Sequence, residues 1–194
     1  HVAFVSRGAT EYIKLPTKLS SGTTWAYISA LVTKTWARDL SVLFASNPKV
    51  QIFWNPGGQQ LAKAQHIKPL LPKVAVLDVN KEEAELMLKT LNPKFEIRKV
   101  ADALVGLKKL GPQIVIITDG AKGAYCYDGT QMIHRPALKV QPVNTTGAGD
   151  AFGAAFLAGY TKSNGDVKQA LDWGMYNSSS VIMAVGAQQG ILNT

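Results

Sequence analysis

Three short, strongly apolar runs alternate with helix-length segments in this chain, and that alternation limits the folds open to it. The runs are Val50–Trp54, Val74–Leu77 and Gln113–Thr118. A strand buried on both faces needs such a run, because neither side of it meets water. The segments between them carry helix start and stop signals. Asn80 reads as an N-cap, with Glu82 and Glu83 in the first turn of a helix that ends near Leu91, before Asn92-Pro93. Ala101–Leu110 reads as a second helix, closed by Gly111-Pro112. Strands alternating with helices predict an α/β domain, a doubly wound, Rossmann-like and mostly parallel sheet flanked by helices. Ligands of such sheets bind beyond the carboxyl ends of the strands. Asn55, Asn80, Thr118 and Asn144 each follow a predicted strand, so they are expected to converge on one crevice.

The remaining segments fit this frame. His1–Ser6 reads as a buried strand and Arg7–Ser21 as loop. Gly22–Ala45 carries Trp25, Ile28, Leu31, Trp36, Leu40 and Phe44 at helix-like spacing, as one helix or more. Asn55-Pro56-Gly57-Gly58 is a turn, followed by a short helix over Gln59–Ile67. Ala124–Tyr127 and Met132–Arg135 read as a hairpin about Asp128-Gly129. Ala148–Gly159 and Val167–Val185 are the last helices, the first nearly apolar and therefore central. The whole of 1–194 is expected to form a single domain.

Composition excludes several functions. No apolar run approaches the length of a membrane span, and the first residues lack a signal-peptide pattern. The single cysteine, Cys126, excludes an intrachain disulfide and fits a reducing, cytoplasmic setting. A net charge of +8 favours anionic partners. The basic residues are scattered, with no dense block and no aromatic–basic RNA motif, which argues against nucleic acid. His66 and His134 have no partner at metal-ligand spacing, and there is no P-loop.

The chemistry concentrates in Val143-Asn144-Thr145-Thr146-Gly147-Ala148-Gly149-Asp150-Ala151-Phe152. This is a glycine turn leading into an apolar helix. The first N–H groups of such a helix have no internal partner, and the helix dipole favours an anion there. Small residues at Gly147, Ala148 and Gly149 let a phosphate approach the backbone. Asp150 would repel that anion, so it is assigned a task, that of general base for an attacking hydroxyl. The bland alternative is a first-turn carboxylate placed by the dipole alone.

Asn144-Thr145-Thr146-Gly147-Ala148-Gly149-Asp150-Ala151-Phe152 resembles the Asp-Thr-x-Gly-Ala-Gly-Asp-x-Phe signature of the ribokinase-like (PfkB) carbohydrate kinases. Asn55-Pro56-Gly57, Asn80-Lys81-Glu82-Glu83-Ala84, Thr118 to Ala124 and Gly186-Ala187-Gln188 resemble further landmarks of that family, in the same order. The resemblance implies a ribokinase-like fold and an ATP- and Mg²⁺-dependent kinase acting on an alcohol group of a sugar or nucleoside. It makes Asp150 the base and Gly147, Ala148 and Gly149 a backbone anion hole. Asn80 and Glu83 would hold the phosphate–Mg²⁺ water network. Thr118, Gly120 and Gly123 would form the nucleotide loop, with Lys122 within reach of a phosphate and Asn177 against the adenine.

The same resemblance assigns Asn144, Thr146 and Gly186 to a site for a monovalent cation. The family usually has Asp where this chain has Asn144, so weak or absent K⁺ dependence is expected. The family's N-terminal substrate residues and lid strands have no counterpart here. The chain therefore resembles the C-terminal two-thirds of such a kinase, whose dimer contacts through a lid segment and most substrate-choosing residues would lie outside it. Gly186-Ala187-Gln188 favours a sugar acceptor. A nucleoside kinase of the same fold and a non-catalytic nucleotide-binding scaffold are the alternatives.

Overall fold

The computed structural model describes residues 12–192. The expected strand over His1–Ser6 lies outside them. Among the described residues, six strands form one sheet in the spatial order of the chain: β1 (Trp25–Ile28), β2 (Gln51–Trp54), β3 (Val76–Asn80), β4 (Ile114–Thr118), β5 (Ala124–Tyr127) and β6 (Met132–Arg135). The pairs from β1 to β4 are parallel, and β4–β5 and β5–β6 are antiparallel. The α-helices of the described residues are α1 (Trp36–Ser46), α2 (Gly58–Leu61), α3 (Ala64–Ile67), α4 (Lys81–Leu91), α5 (Val100–Lys108), α6 (Ala148–Lys162) and α7 (Val167–Ile182).

Side chains alternate across a strand, and here the two faces feed two separate cores. On β4, Val115 and Ile117 pack with α1 to α5, while Ile114 and Ile116 pack with α6 and α7. Phe53 joins the α6–α7 core, and its neighbours Ile52 and Trp54 join the other. Both faces of the parallel strands are therefore covered, which is why those strands read as unbroken apolar runs. Cys126 is buried in β5, and burial pushes its thiol well above the usual range, as suits a core thiol.

Three expectations change. Gly22–Ala45 is not helical throughout, because Trp25–Ile28 forms β1. There the period is two: Trp25 and Tyr27 face the α6 side, and Ala26 and Ile28 the opposite side. Aromatic residues suit a half-buried strand, and full pairing with β2 outweighs the weak helical spacing. The helix expected over Gln59–Ile67 divides into α2 and α3. Asn144 follows no strand; the Val143 and Asn144 N–H groups donate instead to the Ile182 carbonyl at the end of α7, at 2.7 and 3.2 Å.

Candidate active site

The carboxyl ends of β2, β3 and β4 open onto one crevice, and the N-terminus of α6 faces it. A pocket of about 190 Å³ there is lined by Asn55, Asp78, Asn80 and Thr118 from the strands and by Glu83 from the first turn of α4. Gly147, Gly149 and Asp150 line it from α6. Asn55, Asn80 and Thr118 thus converge as expected, and Asn144 does not join them.

Gly147 is the N-cap of α6 and lies in the left-handed region, at φ +84°. A Cβ there would sit 2.7 Å from the Ala187 Cβ and 2.8 Å from its carbonyl oxygen. Two constraints therefore demand glycine: the backbone conformation and the close approach of the 186–188 segment. Gly149 differs, since nothing lies within 4 Å of where its Cβ would be. Its N–H and that of Asp150 have no acceptor among the described residues, as befits a first helical turn, whereas the Ala148 N–H, expected to be open, donates to the Thr145 carbonyl at 3.3 Å. Gly147→Ala is expected to cost about 1–3 kcal/mol of stability through backbone strain. Gly149→Ala should leave stability near the parent value and weaken anion binding. Thermal unfolding with and without ATP separates the two; equal losses of stability would contradict the division of roles.

Asn80 and Glu83 form a reciprocal cap on α4. Asn80 Oδ1 accepts from the Glu83 N–H at 2.9 Å, and Glu83 Oε2 accepts from the Asn80 N–H at 2.9 Å. The capping role that their spacing allowed is real, and it holds both side chains at the rim of the pocket. Burial raises the Glu83 carboxyl above its usual range, opposed by the Asn80 N–H and aided by Glu82. Asp78, two residues before Asn80, is fully buried and its pKa is pushed up to about 8 by burial, then by Glu83 and Asp150. The Asn80 carboxamide and the Glu83 carboxylate at the rim of this pocket are hard oxygen donors, which suit Mg²⁺. Among the described residues, no group of His, Cys, Asp and Glu could hold a metal by itself. The fit is therefore to an ion that arrives with phosphates and keeps most of its waters.

A second cavity of about 490 Å³ opens on the α6–α7 side of the Thr118–Gly123 loop. Gly120 and Gly123 form one wall, Leu138 and Val140 another, and Phe152, Met175 and Ile182 the floor. Its size and apolar lining suit a small planar ligand. Gly120 is open, with no atom within 4 Å of a Cβ position. Gly123 is held for a different reason: at φ +94°, its Cβ would overlap the Arg135 carbonyl oxygen in the hairpin. Lys122 is ion-paired to Asp119 at 3.7 Å, and its side chain is 68% exposed. It borders the opening between Asn80 and Gly149, within reach of an anion there. Its carbonyl accepts from His134 Nε2 at 2.8 Å, and the His134 ring stacks on Tyr125.

Asn177 is placed elsewhere. It is buried, not on the surface, and it faces away from the second cavity. Its Nδ2 donates to the Ala151 carbonyl at 2.8 Å, and its Oδ1 accepts from the Leu192 N–H at 2.9 Å. The helical period explains this: Met175, Ser178, Ser179 and Ile182 present one face of α7 to the cavity, and Asn177 lies on another. Asn144 Oδ1 accepts from the Thr146 N–H at 2.8 Å, which shapes the turn before α6. Gly186 is half-buried at φ +98°, and its neighbour Ala187 touches the position of Gly147. The segments of Asn144, Thr146 and Gly186 therefore do meet.

Sequence reasoning missed Tyr27 and Asp78. For Asp78 a signal existed: it is the lone carboxylate in an otherwise apolar run from Val74 to Val79, and lone buried carboxylates are rare. Tyr27 had none, because it lay in a segment read as helix.

The sheet, its two helical layers and the crevice at its carboxyl edge define a doubly wound α/β protein of ribokinase-like fold. The sequence profile described as pfkB family carbohydrate kinase matches residues 19–194. An ATP-dependent 6-phosphofructokinase from Thermoanaerobacterium thermosaccharolyticum is 32% identical over 123 residues, covering 63% of this chain and 36% of that enzyme. A cytidine kinase from Thermococcus kodakarensis is 31% identical over 119 residues, covering 59% of this chain and 40% of that enzyme. The crystal structure of a ribokinase from Thermotoga maritima superposes with a TM-score of 0.71 at 23% identity, covering 87% of this chain and 53% of that one. The chain belongs to the pfkB family of carbohydrate kinases. It spans about half the length of the relatives it matches, or less. No helix among the described residues is long and apolar enough to cross a membrane.

Proposed function

We propose that this chain carries the nucleotide-binding and phosphoryl-transferring part of a kinase that moves the γ-phosphate of ATP to an alcohol group of a sugar or nucleoside. One observation carries the reading: the Asp150 carboxylate and the open first turn of α6 line the same 190 Å³ pocket. An alcohol is a poor nucleophile at neutral pH, so a base must take its proton as it attacks. Asp150 accepts that proton, and the N–H groups of Gly149 and Asp150 receive charge on the phosphoryl oxygens. The base of ATP occupies the apolar cavity beside Gly120, and Lys122 and Asn80 flank its phosphates. Mg²⁺, held through water by Asn80 and Glu83, would neutralise phosphate charge. The matched 6-phosphofructokinase and cytidine kinase support both a sugar-type and a nucleoside-type acceptor.

The test is phosphoryl transfer from Mg·ATP to a panel of pentoses, hexoses, sugar phosphates and nucleosides. It is run on this chain and on the longest reading frame that contains it. Transfer to one acceptor class names the substrate. ATP binding with no transfer by either form would replace the kinase with a nucleotide-binding scaffold. Exchanging K⁺ for a bulky organic cation is expected to change the rate little. Asn144 brings no charge to a cation, and its carboxamide oxygen is engaged by the Thr146 N–H. A strict K⁺ requirement would overturn this.

A further inference from the structure

Two buried side-chain oxygens near α6 have no hydrogen-bond partner among the described residues: the Tyr27 hydroxyl and Asp78 Oδ1. Buried polar atoms are hydrogen-bonded as a rule, so each exception calls for an explanation. These two belong to one place. Tyr27 on β1 and Asp78 on β3 project from the same face of the sheet, and both meet the same turn of α6. A Cβ on Gly153 would lie 2.7 Å from the Tyr27 hydroxyl oxygen and 3.2 Å from Asp78 Oδ2. Gly153 follows Asp150 by three residues, and residues so spaced share a helix face. Asp78 and Asp150 line the same pocket.

Tyr27 is held firmly: its ring stacks on Phe53 at 4.9 Å. Rotation to satisfy its hydroxyl elsewhere would break that stack. The pocket of about 190 Å³, lined by Asp78 and Asp150, has room for ordered water, and a buried water needs two to four polar partners. Asp78 and Asp150 supply two, and the Tyr27 hydroxyl, which shares the Gly153 turn with Asp78, is the nearest unpartnered third.

We propose that Tyr27 and Asp78 are positioning residues for Asp150, acting through an ordered water held among the three side chains. The water fixes the Asp150 carboxylate against the attacking hydroxyl. Gly153 leaves the turn free of a side chain that would close the space, since even a methyl group there would overlap the Tyr27 hydroxyl. This proposal rests on the reading of Asp150 as the base.

Two measurements test it. A crystal structure of the chain at a resolution that shows water should reveal one ordered water bonded to Tyr27, Asp78 and Asp150, and Tyr27→Phe should remove it. A dry site, or a direct bond between Tyr27 and Asp78, overturns the proposal. In whichever form transfers phosphate, Tyr27→Phe and Asp78→Leu should each lower kcat on the order of 10–100-fold, the scale of lost positioning. The KM for ATP should stay near the parent value, and Asp78→Asn, which keeps its hydrogen bonds, should restore most of kcat. Unchanged kcat in Tyr27→Phe, with or without a loss of stability, overturns the positioning role. If no form transfers phosphate, the kinase reading fails, and the crystal structure still decides whether the water joins the three side chains.

Discussion

Replacing Asp150 by asparagine is expected to lower phosphoryl transfer by about 10²–10⁴-fold, the contribution of a positioned base. ATP affinity should stay close to that of the parent. The side chains are nearly isosteric, so the packing of α6 is preserved. Asparagine cannot accept the hydroxyl proton at neutral pH, and the attacking oxygen then carries its proton into the transition state. Removing a negative charge beside an anion site also cannot weaken that site electrostatically. Stability should change little, because Asp150 is exposed in the first turn of α6 and contributes only a dipole interaction of about 0.3–1 kcal/mol. Initial rates at saturating ATP, with calorimetric titration of ATP, separate the two effects. Turnover equal to the parent's would remove Asp150 from the chemistry. Lost ATP binding would make it a binding residue instead.

Asp78→Asn is expected to stabilise the fold at neutral pH by an amount on the order of 2–4 kcal/mol. The cause is proton linkage. The folded chain raises the Asp78 pKa to about 8, mainly by burial and further by Glu83 and Asp150, whereas the unfolded chain ionises near the usual aspartate value of about 3.9. Between these values the unfolded state has released a proton that the folded state retains. Raising the pH across that window therefore favours unfolding, at about 1.4 kcal/mol per pH unit at most. The parent should be most stable, as far as this group is concerned, below pH ~4 and should lose that stability progressively as pH approaches ~8. Asparagine has no proton to lose, so its curve should be flatter. Glu83, whose pKa is also raised by burial, adds a slope of the same sign to both proteins. Urea midpoints from pH 4 to 8 in metal-free buffer give the comparison. Parallel curves would show that Asp78 is ionised in the folded state.

Much of this arrangement was legible in the sequence. The runs at β2, β3 and β4 are apolar because helices cover both faces, so local composition carries global information there. The hairpin of β5 and β6, the cap at Asn80 and the start of α6 at Ala148 are written in residues that act over three or four positions. Where one backbone bond or one turn decides, sequence is enough. Gly147, Gly149 and Asp150 could be placed at the head of α6 for that reason, and Asn80 and Glu83 at the head of α4.

Other features were not local. Trp25–Ile28 became a strand because β2 offers a full parallel register, a partner some 25 residues away that spacing alone cannot reveal. Asn177 turned from the cavity because the phase of α7 against α6 sets which of its faces is inward. Gly123 must be glycine because of the Arg135 carbonyl across the hairpin, a contact that spacing alone cannot reveal. The sequence by itself determined the layered α/β class, three of its parallel strands with the terminal hairpin, and the carboxylate at the head of an open helix. Only the tertiary structure decided that Tyr27 and Asp78 meet beneath that carboxylate. They come from strands separated by about 50 residues, and their shared environment arises from burial, which is a property of the assembled layers and of no segment within them.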